Sequence, residues 1–381
     1  MGDMSRLASL ETPRLLLDRA RVERNAARMR ERCDALGVAL RPHLKTAKSV
    51  EVAQLAGGGK PGPVTVSTLA EAEYLAAAGW HDILYATAMA PAKVSRAARI
   101  QRETGTILLL AVDSVEAALM LAAQAAEHGA SFGCLVEVDC GEHRSGTAPA
   151  SEELAAVAAA VAAGAPHLRL EGVMTHAGHS YALGGGAGLQ AMAEAERAAA
   201  VSSAELLRSL GHPCPIVSVG STPTVLYAEH LRGVTEARAG IYLFWDLAQL
   251  SRGMCAEADI AVSVLATVIG HQRRGPSLVL DAGALALSKD IGANRFMPDA
   301  HYGWVCDAAT LQRIGTLSVE TVHQEHGTVP VPDESWFTRL PVGSTVRILP
   351  NHACLTCAPH PAYDVVAGGA VVDRWNRTGG W

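Results

Sequence analysis

From about residue 38 to about residue 240 this chain alternates a short apolar run with an alanine-rich stretch of helical period, eight times over. The apolar runs are residues 38–43, 63–67, 82–86, 107–112, 132–139, 168–176, 216–220 and 235–240. Short continuous runs bounded by turn residues suit strands buried on both faces. Between them residues 69–78, 115–128, 151–163 and 189–210 are dense in alanine and glutamate, which favour helix. Strands that alternate with helices run parallel, and eight such units over roughly 200–250 residues predict a (β/α)8, TIM-like barrel. An open doubly wound sheet is the structural rival, but no GxGxxG follows the first strand.

The pattern changes after about residue 258. Residues 260–270, 277–281, 315–322 and 344–349 read as strands separated by turn residues, with no long helical period between them. Two prolines make 329–333 a loop, and Gly368-Gly369 marks a hairpin within 367–370. Residues 15–17, ahead of the barrel, read as a strand that joins this second region. The expectation is an α/β chain with a barrel over 20–258 and a smaller β domain built from 1–19 and 259–381.

Composition narrows the function classes. With 381 residues, 49% apolar and 18% charged, the chain has enough apolar material for a large core. Aromatic residues are only 4%, so small side chains must supply the helix-on-strand packing. A net charge of -6 without a basic stripe argues against a nucleic-acid partner. No apolar run of about 18 residues predicts a membrane span, and the start MGDMSRLASLETP has no secretory apolar core. Eight scattered cysteines in such a chain do not read as a disulfide framework, so the cytoplasm is the expected location.

In a barrel, chemistry gathers where strands end and loops begin on the carboxyl face. The first strand ends Arg41-Pro42-His43-Leu44-Lys45-Thr46, and the fifth runs into Asp139-Cys140-Gly141-Glu142-His143-Arg144-Ser145. The sixth ends in the stretch from Thr175-His176 to Ser180-Tyr181, the seventh in Gly220-Ser221-Thr222, and the eighth in Gly240-Ile241-Tyr242. Lys45, desolvated at the end of a buried strand, would have a lowered pKa and a nucleophilic amine; a surface lysine is the plain alternative. Gly220, Ser221 and Thr222 offer backbone N–H groups and two hydroxyls to a phosphate, or form an ordinary turn and helix cap. Tyr242 either adds a hydroxyl there or is a buried ring. Arg144 can donate to a phenolate-like oxygen or a carboxylate, or form a surface ion pair. His176 can stack on an aromatic ring, or be a satisfied core histidine.

Far along the chain lies Pro350-Asn351-His352-Ala353-Cys354, followed by Cys357. In an extended segment alternate side chains share a face, so His352 and Cys354 could chelate a borderline-soft divalent ion such as zinc. Two protein ligands leave open positions for water and substrate. Cys354-x-x-Cys357 also permits a redox pair, although the strand-to-helix setting expected of one is not evident; a buried inert pair is the third option.

Together these segments resemble the D-threonine aldolase and D-serine dehydratase family, the metal-assisted branch of alanine racemase-like (fold type III) pyridoxal-phosphate enzymes. The resemblance rests on an ordered set along nearly the whole chain: Glu11-Thr12-Pro13, RPHLKTAK, EVDCGEHRSG, THAGHSY, VGSTPT, ARAGIY, LDAG, QEHG and PNHAC. It implies that Lys45 carries pyridoxal 5'-phosphate. It implies that Gly220, Ser221, Thr222 and Tyr242 contact the phosphate and Arg144 a cofactor oxygen, with His176 and Tyr181 also on the cofactor. It further implies that His352 and Cys354 hold a divalent metal (Zn, Mn, Co or Mg), and that the enzyme is a homodimer acting on a small D-amino acid. Aldolases of the family resemble His-x-Asp at the metal pair and dehydratases His-x-Cys. The resemblance is therefore nearest the branch that dehydrates D-threo-3-hydroxyaspartate and D-serine to a 2-oxo acid and ammonia. Retro-aldol cleavage to glycine and an aldehyde, through the same cofactor and metal, is the alternative.

Overall fold

The computed structural model describes residues 7–381. Two compact units emerge, one comprising Ala26–Gly240 with the last two residues, the other Ile241–Gly379 with the described residues up to Asn25. The sequence placed this change at 258; residues 241–258 group with the strand-rich unit.

The first unit is an eight-stranded parallel sheet, with β1 at Ala39–Leu40, β2 at Val64–Val66, β3 at Asp82–Tyr85 and β4 at Ile107–Val112. It continues with β5 at Phe132–Val138, β6 at Leu168–Thr175, β7 at Ile216–Val219 and β8 at Glu236–Ala237. The order is β1-β8-β7-β6-β5-β4-β3-β2. A parallel bridge between His43 and Thr65 joins the ends, with Leu44 N–H donating to the Thr65 carbonyl at 2.9 Å. All eight expected strands are present and the sheet curls shut. β1 and β8 are shorter than expected, yet their pairing continues past β1 as Arg41 N–H to Ala237 and His43 N–H to Ala239, at 2.9 and 2.8 Å.

The helices follow from capping and period. Thr68, Ser114 and Ser151 each accept a backbone N–H at the start of Leu69–Ala77, Val115–Glu127 and Glu152–Ala163, which fixes where those helices begin. Inside, Leu84, Leu109, Ala111, Leu135 and Met174 form an apolar layer across successive strands. A file of alternating charge joins neighbouring strands. Arg41 binds Asp82 at 2.6 Å and Glu236 at 2.9 Å, Ser218 donates to Glu236 at 2.6 Å, and Arg238 donates to Ser218 at 2.5 Å. Buried charges of one sign would not persist there; alternation lets each satisfy the next.

In the strand-rich unit ten strands pair among the described residues. Seven follow a path from Arg313–Ser318 through Gly303–Asp307, Thr345–Pro350, Val262–Gln272, Arg14–Asp18 and Ala362–Ala367 to Ala370–Asn376, and Ser277–Leu280, Gly327–Pro330 and Thr321–Val322 branch from Val262–Gln272. Arg14–Asp18 joins it as expected, antiparallel to Val262–Gln272 and parallel to Ala362–Ala367. Three readings are corrected. Gly303–Asp307 was not foreseen; its burial arises from pairing with Thr345–Pro350, distant in sequence. The expected strand 315–322 is two, Arg313–Ser318 and Thr321–Val322. The expected loop at 329–333 begins inside strand Gly327–Pro330; Pro330 is the last residue of that strand, where the missing N–H costs no ladder bond.

Candidate active site

The ends of β1, β3, β5, β6, β7 and β8 surround a cleft of about 420 Å³ lined by His43, Lys45, Thr87, Glu137, Arg144, His176, Gly220 and Arg238, among others. Four sequence-predicted residues thus meet: Lys45, Arg144, His176 and Gly220. Lys45 is exposed to the cleft, so the desolvation expected of it is not seen; β1 is too short to bury it, and the chain turns just beyond. Among the described residues no hydrogen bond or ion pair engages the Lys45 amine. Its neighbour Lys48 is used differently, 2.9 Å from the fully buried Glu71.

Two imidazoles flank Lys45. His176 Nδ1–H donates to the Gly220 carbonyl, which fixes the tautomer and turns Nε2 away from that bond. Burial, outweighing that bond and aided by the charges of Lys45, Arg238 and Arg144, pushes its pKa down to about 3. Burial, with the charges of Lys45 and Arg238, also holds His43 well below the ordinary imidazole value. Both rings are neutral at neutral pH. Arg238, 4% exposed, donates to Ser218 and, at 2.6 Å, to the Thr175 carbonyl. Burial lowers its pKa against the pull of Glu236, Glu196 and Glu137. Glu137, whose own pKa burial raises, accepts from Ser145 at 2.9 Å; Arg144 lies 4.0 Å from it and 3.6 Å from Glu142.

The Gly220-Ser221-Thr222 turn differs from expectation in one respect. The Gly220 N–H is taken by the Glu196 carboxylate at 3.1 Å, so it is not a free donor. Glu196 also accepts from Ala177 N–H at 2.9 Å and from the Thr224 hydroxyl at 2.5 Å. One buried side chain on helix Ala187–Ser209 thereby ties the loop after β6 to the turn after β7. Glycine is required at 220 because a Cβ there would run into the Arg238 carbonyl. Ser221 caps the short helix Thr222–Tyr227 and meets Ser180 at 3.0 Å, while the Thr222 hydroxyl accepts Gly240 N–H at 3.3 Å. Tyr181 lies in the short 3-10 helix Gly178–Ala182, outside the lining of the cleft.

Tyr242, His352 and Cys354 belong to the strand-rich unit. Tyr242 is fully buried there. The metal pair is not on an extended segment. Strand Thr345–Pro350 is followed by His352 in extended conformation as the N-cap of helix Ala353–Cys357, which puts Cys354 in the first helical turn. The two side chains still meet, in a hydrogen bond between the imidazole and the Cys354 sulfur. His352 Nδ1 is 2.6 Å from Asp290, leaving Nε2 for another partner. Burial would lower this imidazole's pKa, but Asp290, Cys354 and buried Asp246 together push it up to about 11. A ligating imidazole is neutral, so a metal bound here would have to displace the proton that these acidic neighbours hold; a carboxylate behind the ring is the usual support for such a ligand. Among the described residues no group of three or more His, Cys, Asp or Glu is placed to hold a metal.

Glu196, Arg238, Glu137 and Asp290 were not singled out in the sequence. Glu196 carried a signal: with Leu189, Ala193, Ala200 and Ser203 it lies on the buried stripe of its helix, where a lone carboxylate needs a structural use.

Residues 17–247 match the alanine racemase N-terminal domain family, and residues 261–366 a serine dehydratase domain family. Along 98% of its length the chain is 47% identical to a D-threo-3-hydroxyaspartate dehydratase of Delftia sp. (strain HT23), covering 99% of that protein. It is 30% identical to a D-serine dehydratase of Dictyostelium discoideum over 94% of each chain. It is also 30% identical to a 3-hydroxy-D-aspartate aldolase of Paracoccus denitrificans (strain Pd 1222), over 97% of this chain and 92% of that one. The solved structure of the Delftia dehydratase superposes with a TM-score of 0.94 at 46% identity, covering 99% of this chain and all of that one. An alanine racemase-type barrel joined to a serine dehydratase domain, matched end to end by these enzymes, places the chain in the dehydratase and aldolase family of alanine racemase-like proteins.

Proposed function

We propose that the chain is a lyase dependent on pyridoxal 5'-phosphate and a divalent metal. It eliminates water from a D-3-hydroxy amino acid, D-threo-3-hydroxyaspartate or D-serine, to give a 2-oxo acid and ammonia. The observation that carries this reading is the Lys45 amine, unengaged at the mouth of the barrel between two neutral imidazoles, while nearby Lys48 is consumed by Glu71.

The donor set fits the cofactor. A free amine suits its aldehyde, the His176 ring offers a flat neutral face, and the Ser221 and Thr222 hydroxyls lie at the turn expected to take its phosphate. Pyridoxal phosphate, when bound, supplies an electron sink for charge developing at the substrate α-carbon. Lys45 holds the cofactor and then removes the α-proton as general base. Arg144, braced by Glu137 and Glu142, presents a guanidinium to a cofactor oxygen or the substrate carboxylate. Tyr242 and Tyr181 complete the cofactor-binding set in this reading.

His352 and Cys354 fit a divalent metal such as zinc or manganese, with Asp290 fixing the imidazole tautomer. The metal, when bound, supplies Lewis acidity toward the substrate β-hydroxyl as it departs. The reading also carries a homodimer and a cytoplasmic setting.

Product analysis on D-threo-3-hydroxyaspartate, D-serine and D-threonine, with and without a chelator, tests the proposal. The expected result is a 2-oxo acid plus ammonia, lost on chelation and restored by zinc or manganese. Glycine plus an aldehyde as the main products would overturn the dehydratase reading in favour of an aldolase like the Paracoccus relative. Metal-independent turnover would overturn the role of His352 and Cys354.

A further inference from the structure

The strand-to-helix setting not evident for Cys354-x-x-Cys357 in the sequence is present in the fold. Strand Thr345–Pro350 leads into helix Ala353–Cys357, with Cys354 in its first turn and Cys357 at its last residue. Residues three apart on a helix share a face, and helix geometry sets their α-carbons about 5 Å apart, inside the about 4.4–6.8 Å that a disulfide spans. Their β-carbons, about 5–6 Å apart, must close to about 3.5–4.5 Å, which a small adjustment of this single-turn helix supplies.

The two thiols differ in the way a reactive pair must. Cys354 is partly exposed and sits beside the His352 imidazole. Cys357 is fully buried, its thiol against the Tyr363 hydroxyl. Arg377 braces that position, donating to the Tyr363 hydroxyl at 2.8 Å and to the Cys357 carbonyl. The partly exposed cysteine is thus the one open to an oxidant, and the buried one lies one helical turn away on the same face.

We propose that Cys354 and Cys357 are an oxidative modification site, closing a disulfide when a peroxide oxidises the pair and thereby withdrawing Cys354 from metal binding. The Cys354 thiolate attacks the peroxide oxygen, the O–O bond breaks, and a sulfenic acid and hydroxide result. The Cys357 sulfur then attacks the Cys354 sulfur and expels the sulfenic oxygen as a second hydroxide. With the two thiol protons the hydroxides leave as water, so two thiols are oxidised by two electrons and one peroxide is reduced to two waters. Closing the bond needs only the two cysteines. Its effect on the metal rests on the reading of His352 and Cys354 as ligands. A bound metal would occupy the Cys354 sulfur and protect the pair, so the site reports metal loss as well as oxidant.

The test uses the full chain after chelation, treated with hydrogen peroxide. Cleavage after Arg347 and Arg374 releases both cysteines in one peptide that holds no other. The expected result is that this peptide loses two hydrogens and regains them with a thiol reductant. In Cys357→Ser it gains oxygen at Cys354 instead, and loading the wild type with zinc beforehand suppresses both changes. Oxygen addition at Cys354 in the wild type without loss of hydrogens would overturn the disulfide. Zinc uptake unchanged after the disulfide has formed would leave the bond standing and overturn its link to the metal.

Discussion

Replacing Glu196 should loosen the cleft more than any other single change away from its surface. Its carboxylate accepts Ala177 N–H at 2.9 Å, Gly220 N–H at 3.1 Å and the Thr224 hydroxyl at 2.5 Å, with the side chain fully enclosed. A hydrogen bond to a charged group contributes about 1.5–3 kcal/mol, and a donor left unpaired in the interior costs about 1–3 kcal/mol. Three such bonds do not add, and burial raises the Glu196 pKa despite them, so part of their energy goes into keeping the charge inside. The loss for Glu196→Ala is therefore placed at about 3–4 kcal/mol, and for Glu196→Gln, which retains one acceptor oxygen, at about 1–2 kcal/mol. Urea unfolding reads the total, and amide hydrogen exchange at Ala177 and Gly220 reads the place. Both amides should exchange faster in each variant, in the order Ala then Gln. An alanine variant within about 1 kcal/mol of the wild type, with both amides still protected, would refute the reasoning that this carboxylate ties the two loops.

The two lysines after β1 should separate cleanly. Lys45→Ala should abolish the visible absorbance of bound pyridoxal phosphate with little effect on stability. Lys48→Ala should keep that absorbance and cost about 2–3 kcal/mol in urea unfolding, because the buried Glu71 loses its counter-charge and keeps the Ser67 N–H and the Thr68 hydroxyl. For His176 the sign follows from a folded pKa of about 3 below an ordinary value of 6.5. Its neutral form is favoured by folding, so the contribution is complete above about pH 6.5. It is lost as pH falls toward about 3, at up to about 1.4 kcal/mol per pH unit. His176→Phe, which keeps a flat ring and cannot titrate, should flatten that acid limb relative to the wild type in stability curves between about pH 3 and pH 7. An unchanged slope would show that the imidazole is not held neutral.

Where the signal was local, the sequence alone determined the outcome. Eight apolar runs of strand length, separated by capped alanine-rich helices, leave the chain little choice but a parallel sheet covered by helices, because each run must bury both faces. Closure into a barrel came with the pairing of the first two strands. Lys45, Arg144, His176 and Gly220 could be read as neighbours because strand ends in a barrel share one rim. Tertiary structure decided the rest. Whether Lys45 or Lys48 is the free amine depends on Glu71, one strand further along the chain, and no property of either lysine reveals it. The partners of Gly220, His176 and His352 come from Glu196, a backbone carbonyl and Asp290, all distant in sequence. The His-x-Cys segment could satisfy extended or helical backbone equally well over so few residues. The fold chose a helix start, and that choice brought Cys357 onto the same face as Cys354. Periodicity is written residue by residue, whereas the pairing of buried polar groups exists only after distant parts of the chain have been brought together.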